Sequence, residues 1–217
     1  MSARRFQPAP PLVLSARTSL DSVKYPDVDA ALKQLKTCTR RLQVALSAHR
    51  NELQVLERLY YKGKNQHRPA LFWKRVAEMR RYGDRIDGVN IYQLVENLRL
   101  SFWGDAGQEN PKTLKRPWTH TPDAKSVSYV LRRCLDCRSL IHKTHERLVN
   151  AYGSFMLVMQ TGAFLQLILT LAAIASRLDI LLAESESSLE VALSACFRVL
   201  DVLDASRRFL IDTDLLT

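Results

Sequence analysis

The sequence predicts an all-α protein, an elongated helical bundle built on long antiparallel helical hairpins. Only 7 of its 217 residues are glycine, and strand-like runs that alternate Val, Ile or Thr with polar residues are absent. Apolar residues instead recur at alternate spacings of three and four, as the face of a long amphipathic helix requires. This seam consists of Leu32, Leu35, Thr39, Leu42, Leu46, His49, Leu53, Leu56 and Tyr60.

The chain divides by composition into an arm and one domain. Residues 1–26 contain several prolines and only a short apolar run, which is typical of a flexible N-terminal arm. Residues 27–217 are expected to form a single helical-bundle domain. Within it we expect a basic hairpin half at 27–103, a loop at 104–122 and an apolar core half at 123–217. The loop prediction depends on closely spaced glycine and proline.

The first hairpin is predicted from the seam and the residues that interrupt it. A helix over Val28–Tyr61 would be roughly 50 Å long. Gly63 is expected to stop this helix. Pro69 is expected to start the next one, because its missing N–H has no helical partner at that position. The short connection 62–68 then implies two antiparallel helices.

The stretch 153–176 contains no charged residue across 24 positions. It meets the length criterion for a transmembrane helix. Gln160, Thr161 and Gln166 interrupt it, however, and amphipathic helices are predicted on both sides. A helix that is apolar all round suits the centre of a bundle, so we interpret the stretch as a core helix, with a membrane span as the alternative. A last amphipathic helix is expected over Ser187–Leu210.

The net charge of +10 is unevenly distributed. Residues 151–217 contain four Lys or Arg and eight Asp or Glu, which leaves a net charge of +14 on the first 150 residues. Such asymmetry indicates a basic working half and suggests nucleic acid or an acidic membrane surface as the partner.

The strongest candidate site lies at the predicted hairpin tip, in the segment Leu59–Arg75. Between Arg58 and Arg85 nine Lys or Arg face only Glu78 and Asp84. Side-chain amides and aromatic rings accompany the cations, and Trp73 could stack on bases or pack between the hairpin arms. The alternative is a solvated basic turn. The predicted RNA-binding residues are Lys62, Lys64, Asn65, Gln66, His67, Arg68, Trp73, Lys74 and Arg75.

The sequence shows no convincing catalytic or metal site. No nucleophile–base set or glycine-rich phosphate loop is present, so we predict that the protein is not an enzyme and has no cofactor. Cys134 and Cys137, with His142 and His145 downstream, invite a zinc interpretation. A structural zinc site needs four converging ligands, whereas both cysteines lie on an apolar helix face, which favours buried thiols.

Two segments resemble a known family. KGKNQHRPALFWK, residues 62–74, is similar to the Asn-Lys-Asn-Gln-His-Arg segment of the fungal protein subunit specific to RNase MRP. It resembles still more closely the Nepro family, nucleolus and neural progenitor protein. The apolar segment 151–178 is a second point of likeness to the fungal subunit.

The resemblance implies a non-catalytic protein of a nuclear, nucleolar ribonucleoprotein in which RNA performs the cleavage. It implies a role in pre-rRNA processing and ribosome biogenesis, with an RNase MRP-like structured RNA and the protein subunits of the same particle as partners, and no membrane. It assigns RNA contacts to Lys64, Asn65, Gln66, His67 and Arg68. The alternatives are a helical protein–protein interaction scaffold without direct RNA contact, and a single-span membrane protein.

Overall fold

The computed structural model describes residues 8–104, 110 and 112–203. Predictions for residues 1–7, 105–109, 111 and 204–217 lie outside this part of the chain. The described residues contain five α-helices: α1 (Tyr25–His67), α2 (Leu71–Val89), α3 (Ile91–Ser101), α4 (Ala124–Gln160) and α5 (Leu165–Leu203). They also contain one antiparallel strand pair, β1 (Leu14–Ala16) and β2 (His120–Pro122). The prediction of an all-α helical bundle is confirmed.

The predicted seam of α1 is confirmed by burial. Leu35, Leu42 and Leu56 are fully buried, and the polar seam residues Thr39 and His49 are buried with them. A face with apolar residues every three or four positions removes a continuous stripe from water, and this burial provides most of the stability of so long a helix.

The predicted end of α1 at Gly63 is wrong. The helix continues to His67, and α2 begins at Leu71 rather than at Pro69. A Cβ atom at position 63 would lie only 2.5 Å from Cη2 of Trp73. The absence of a side chain at Gly63 therefore makes room for the indole of the facing helix, and the connection shortens to the segment 68–70.

Helices α1 and α2 form the predicted antiparallel hairpin. Tyr60 stacks on Trp73 near the connection, and Arg80 bonds Glu57 further along. Arg50 forms an ion pair with Asp87 still further from the connection. As the partner in α1 lies earlier in the sequence, its partner in α2 lies later, as antiparallel helices require.

Helices α4 and α5 form a second hairpin, which corrects the prediction of one apolar core helix over 153–176. That stretch is interrupted between Gln160 and Leu165 by a turn in which Gly162 (φ 70°) and Phe164 (φ 54°) are left-handed. The predicted last helix at Ser187 is also wrong in its start, because α5 runs through that position without a break. Within the described residues, α5 is the one helix long and apolar enough to cross a membrane. In its most apolar 18-residue segment, 39% is buried.

The chain folds into two compact units. The first comprises the described residues of Met1–Cys38, Gln93–Cys134 and Val191–Thr217, and the second comprises Thr39–Tyr92 and Leu135–Glu190. In the first unit, β1 pairs with β2 in the register Leu14 to Pro122. The Arg17 guanidinium lies 4.2 Å from the centre of the Tyr25 ring and 4.4 Å from that of Trp118. These contacts hold the described part of the predicted arm within the first unit. The division into an arm and a single domain stays a prediction.

Candidate RNA interface

The candidate site is the basic tip, which we define as residues 60–75. It comprises the last two turns of α1, the connection 68–70 and the first turn of α2, all within the second unit. Extending α1 to His67 places Lys62, Lys64, Asn65 and Gln66 on a helix rather than in the predicted turn. Their spacing is therefore fixed by helix geometry, about 1.5 Å of rise and a 100° rotation per residue.

Four cations of the basic tip are free to meet a polyanion. Lys62, Lys64, Arg68 and Lys74 are exposed, and in the described part of the chain none forms an ion pair with a carboxylate. The fifth cation, Arg75, is half-buried and pairs with Glu78 at 2.9 Å. The positive charge of the tip is therefore concentrated on the four exposed side chains.

The start of α2 adds partial positive charge to these cations. Ala70 occupies the N-cap position in an extended conformation and provides no capping side chain. Its carbonyl accepts from the N–H groups of Trp73 (3.1 Å) and Lys74 (3.3 Å). The first N–H groups of a helix have no partner inside the helix, so this terminus favours an anion. The helix start predicted at Pro69 is found two residues later, at Leu71.

An aromatic cluster on the buried side of the basic tip holds its two helix ends together. The Tyr60 and Trp73 rings are stacked, with centroids 5.5 Å apart and an interplanar angle of 7°. The His67 ring lies 5.3 Å from that of Trp73 and 4.7 Å from that of Phe164, which meets it edge-on. Aromatic pairs at these separations stabilise packing beyond the area they bury. Because these rings hold the end of α1 against the start of α2, they set the positions of the exposed cations.

Two of the predicted RNA-binding residues occupy the interior. His67 is 5% exposed and Trp73 is 3% exposed, so RNA cannot reach either ring in this arrangement. Packing between the hairpin arms therefore accounts for Trp73. Tyr61, at 77% exposure, presents the accessible ring of the tip, and the Lys64 ammonium lies 6.0 Å from its centre. Asn65 and Gln66 are exposed beside it.

Sequence reasoning missed Phe164, which belongs to the turn between α4 and α5. No pattern in the segment 59–75 indicates a ring contact with a residue almost a hundred positions further along the chain. Gly162 is the one local signal, since a glycine with positive φ marks the turn that brings Phe164 onto His67.

The cysteine–histidine segment does not form a metal centre in the structure. Among the described residues, no group of three or more His, Cys, Asp or Glu side chains is placed to hold a metal ion. Cys134 and Cys137 are buried and belong to no disulfide. His145 is hydrogen-bonded through Nδ1 to Asp179.

Fold and site together define an all-helical protein that presents a compact basic surface at the end of a helical hairpin. The family model for the N-terminal part of nucleolus and neural progenitor protein matches residues 5–190, and the chain belongs to this family. The family name associates it with the nucleolus. The resemblance to the Nepro family is thereby confirmed. No curated protein and no solved structure matches the chain.

Proposed function

We propose that the chain is a non-catalytic, RNA-binding subunit of a nucleolar, RNase MRP-like ribonucleoprotein that acts in pre-rRNA processing and ribosome biogenesis. The observation that supports it is the exposed, unpaired cation set of the basic tip, Lys62, Lys64, Arg68 and Lys74. Membership of a family named for the nucleolus supports the location.

The geometry favours phosphate contact over base reading. Three of the four cations are flexible ammonium groups and the fourth, Arg68, is an exposed guanidinium in the connection between the helices. Such groups position a nucleic acid without reading its sequence. The first N–H groups of α2 would contact one more phosphate oxygen. Exposed Tyr61 provides one face for a base, and Asn65 and Gln66 can bond to riboses or base edges. A folded RNA with a backbone turn or loop would use all of these groups at once.

The test is the salt dependence of RNA binding. Lys62→Ala, Lys64→Ala and Arg68→Ala are combined in one variant, and its affinity for RNase MRP RNA is measured between 50 and 200 mM salt. Each lost phosphate contact lowers the slope of log K against log salt by about 0.7–0.9. The triple variant is therefore expected to lose up to about 2–3 from the slope.

A control variant separates local contact from net charge. Lys33, Lys125 and Lys143 are also exposed, and replacing them by Ala removes the same charge away from the basic tip. This control is expected to keep most of the wild-type slope. Equal slopes for the two triple variants would contradict the proposal, since long-range attraction alone would then explain binding.

A protein–protein scaffold without RNA contact is the second candidate. Exposed apolar residues beside the α4–α5 turn, including Leu157 and Leu169, favour it. Native pull-downs with and without ribonuclease distinguish the two functions, because partners that stay bound after RNA removal favour the scaffold.

A further inference from the structure

An exposed apolar patch surrounds the turn between α4 and α5. Each of its side chains is at least 41% exposed. The patch consists of Met156 and Leu157 at the end of α4, Phe164 in the turn, and Leu165 and Leu169 at the start of α5. No charged residue occurs between positions 153 and 176. A concentration of exposed apolar side chains on one hairpin end typically marks an interaction surface.

We propose that this apolar patch docks a protein partner that presents apolar side chains flanked by acidic residues. Leu157 is 65% exposed and Leu169 is 50% exposed, while Ile168 and Leu171 on the same helix end are fully buried. The core of the second unit is thus already filled by the inward face of α5, and the outward leucines have no role in it. Burying them against a partner would remove apolar surface from water.

Charge complementarity defines the partner's acidic flank. Phe164 of the patch touches His67, so the patch borders the basic tip, and exposed Arg68 directly follows His67. Among the described residues Arg68 forms no ion pair with a carboxylate. A second copy of the chain would bring Lys64 and Arg68 towards their own counterparts, and this like-charge contact disfavours self-association through the patch.

The chemistry of the patch disfavours RNA and lipid as its occupants. Aliphatic side chains offer phosphates neither charge nor a hydrogen-bond donor, whereas nucleic-acid interfaces are polar and strongly positive. Lipid would have to surround the side-chain amides of Gln160 and Gln166, both of which are exposed beside the turn. Unsatisfied polar groups are costly in hydrocarbon, while a protein surface can hydrogen-bond to them.

Site-specific photo-crosslinking in cells tests this inference. Benzoylphenylalanine replaces Leu157 in the full chain, and the control places it at exposed Lys143 on the same helix, about 21 Å away along α4. The expected result is a nuclease-resistant adduct with one protein at position 157 and not at 143. Its crosslinked peptide should carry apolar residues next to Asp or Glu. Adducts only with RNA, lipid or a second copy, or no adduct at all, would overturn the proposal.

Reconstitution with the crosslinked protein completes the test. Leu169→Asp is expected to weaken its binding at least tenfold, while Lys143→Ala leaves the affinity unchanged. Because Leu169 is half exposed, its variant should unfold at the wild-type midpoint and keep the wild-type salt slope for RNA. If Leu169→Asp binds the crosslinked protein with unchanged affinity, docking at the apolar patch is refuted, while the proposed RNA function is not affected. A lost RNA slope in the tip variants is a separate result that concerns the proposed RNA function.

Discussion

Gly63→Ala measures how tightly the basic tip is fixed by its aromatic cluster. The added Cβ would lie 2.5 Å from Cη2 and 2.9 Å from Cζ2 of Trp73. The indole cannot easily retreat, because the Tyr60 ring is stacked 5.5 Å away and the His67 ring lies 5.3 Å away. Inserting a methyl group into such packing costs about 1–3 kcal/mol. Replacing glycine by alanine in a helix recovers about 1 kcal/mol. The expected net change is therefore a loss of roughly 0–2 kcal/mol.

Gly153→Ala provides the matched control for this prediction. Gly153 also lies within a helix, but no atom would come within 4 Å of its Cβ, so this variant is expected to gain about 0.5–1 kcal/mol. The free energies of unfolding of the two variants then differ by about 0.5–3 kcal/mol, and each kcal/mol corresponds to about 2–4 °C of melting temperature in a chain of this size. Urea unfolding followed by circular dichroism measures the difference. A Gly63→Ala variant as stable as Gly153→Ala would refute the close fit between the two helices.

Two further predictions concern buried titratable groups. Burial lowers the pKa of His49 to about 4, so the folded chain stays neutral at this position while the unfolded chain binds a proton below pH 6.5. The contribution of neutral His49 to the free energy of unfolding is fully present above pH 6.5. It decreases by up to about 3 kcal/mol as the pH falls to 4. In His49→Gln the unfolding free energy should lose this part of its pH dependence, and an unchanged dependence would contradict the prediction. Burial, with a smaller effect of Cys38, raises the pKa of the Cys196 thiol to about 12. We therefore expect iodoacetamide to alkylate Cys196 no faster than the protein unfolds. Mass spectrometry after iodoacetamide treatment at pH 8 checks this, and rapid labelling of folded Cys196 would show that the thiol is accessible.

The sequence predicted the parts of the fold that depend on local periodicity. The three-four spacing from Leu32 to Tyr60 identified the buried face of α1, including polar His49. It also led to the antiparallel hairpin, because a short basic connection joins two amphipathic segments. Such patterns are readable because a helix face and its burial are set by residues within a few turns of one another.

The errors arose where distant residues decided the local structure. Gly63 was expected to end α1, but the helix continues because the missing Cβ admits Trp73 from α2. Packing here outweighs the low helix propensity of glycine. Gly153 and Gly162 occur in one apolar stretch, yet only Gly162 marks a turn. The composition of the stretch does not distinguish them.

Composition predicted the cluster of cations at the candidate site but not the burial of His67 and Trp73. The cluster of cations in the segment 62–74 was visible in the sequence, and its exposed members are those expected to contact RNA. The interior position of His67 depends on Phe164, which no local pattern connects to the basic tip, and that of Trp73 depends on the space left by Gly63. Charge is readable from the sequence alone, whereas exposure requires knowledge of what covers each side chain.

Ultraviolet crosslinking of the native particle, followed by mass spectrometry of RNA-linked peptides, tests the proposed RNA contact most directly. We expect nucleotide adducts on exposed tip residues such as Tyr61, Lys62 and Lys64, with Trp73 unmodified because its ring is buried. RNA adducts confined to other parts of the chain, with the peptides covering 60–75 recovered unmodified, would contradict it.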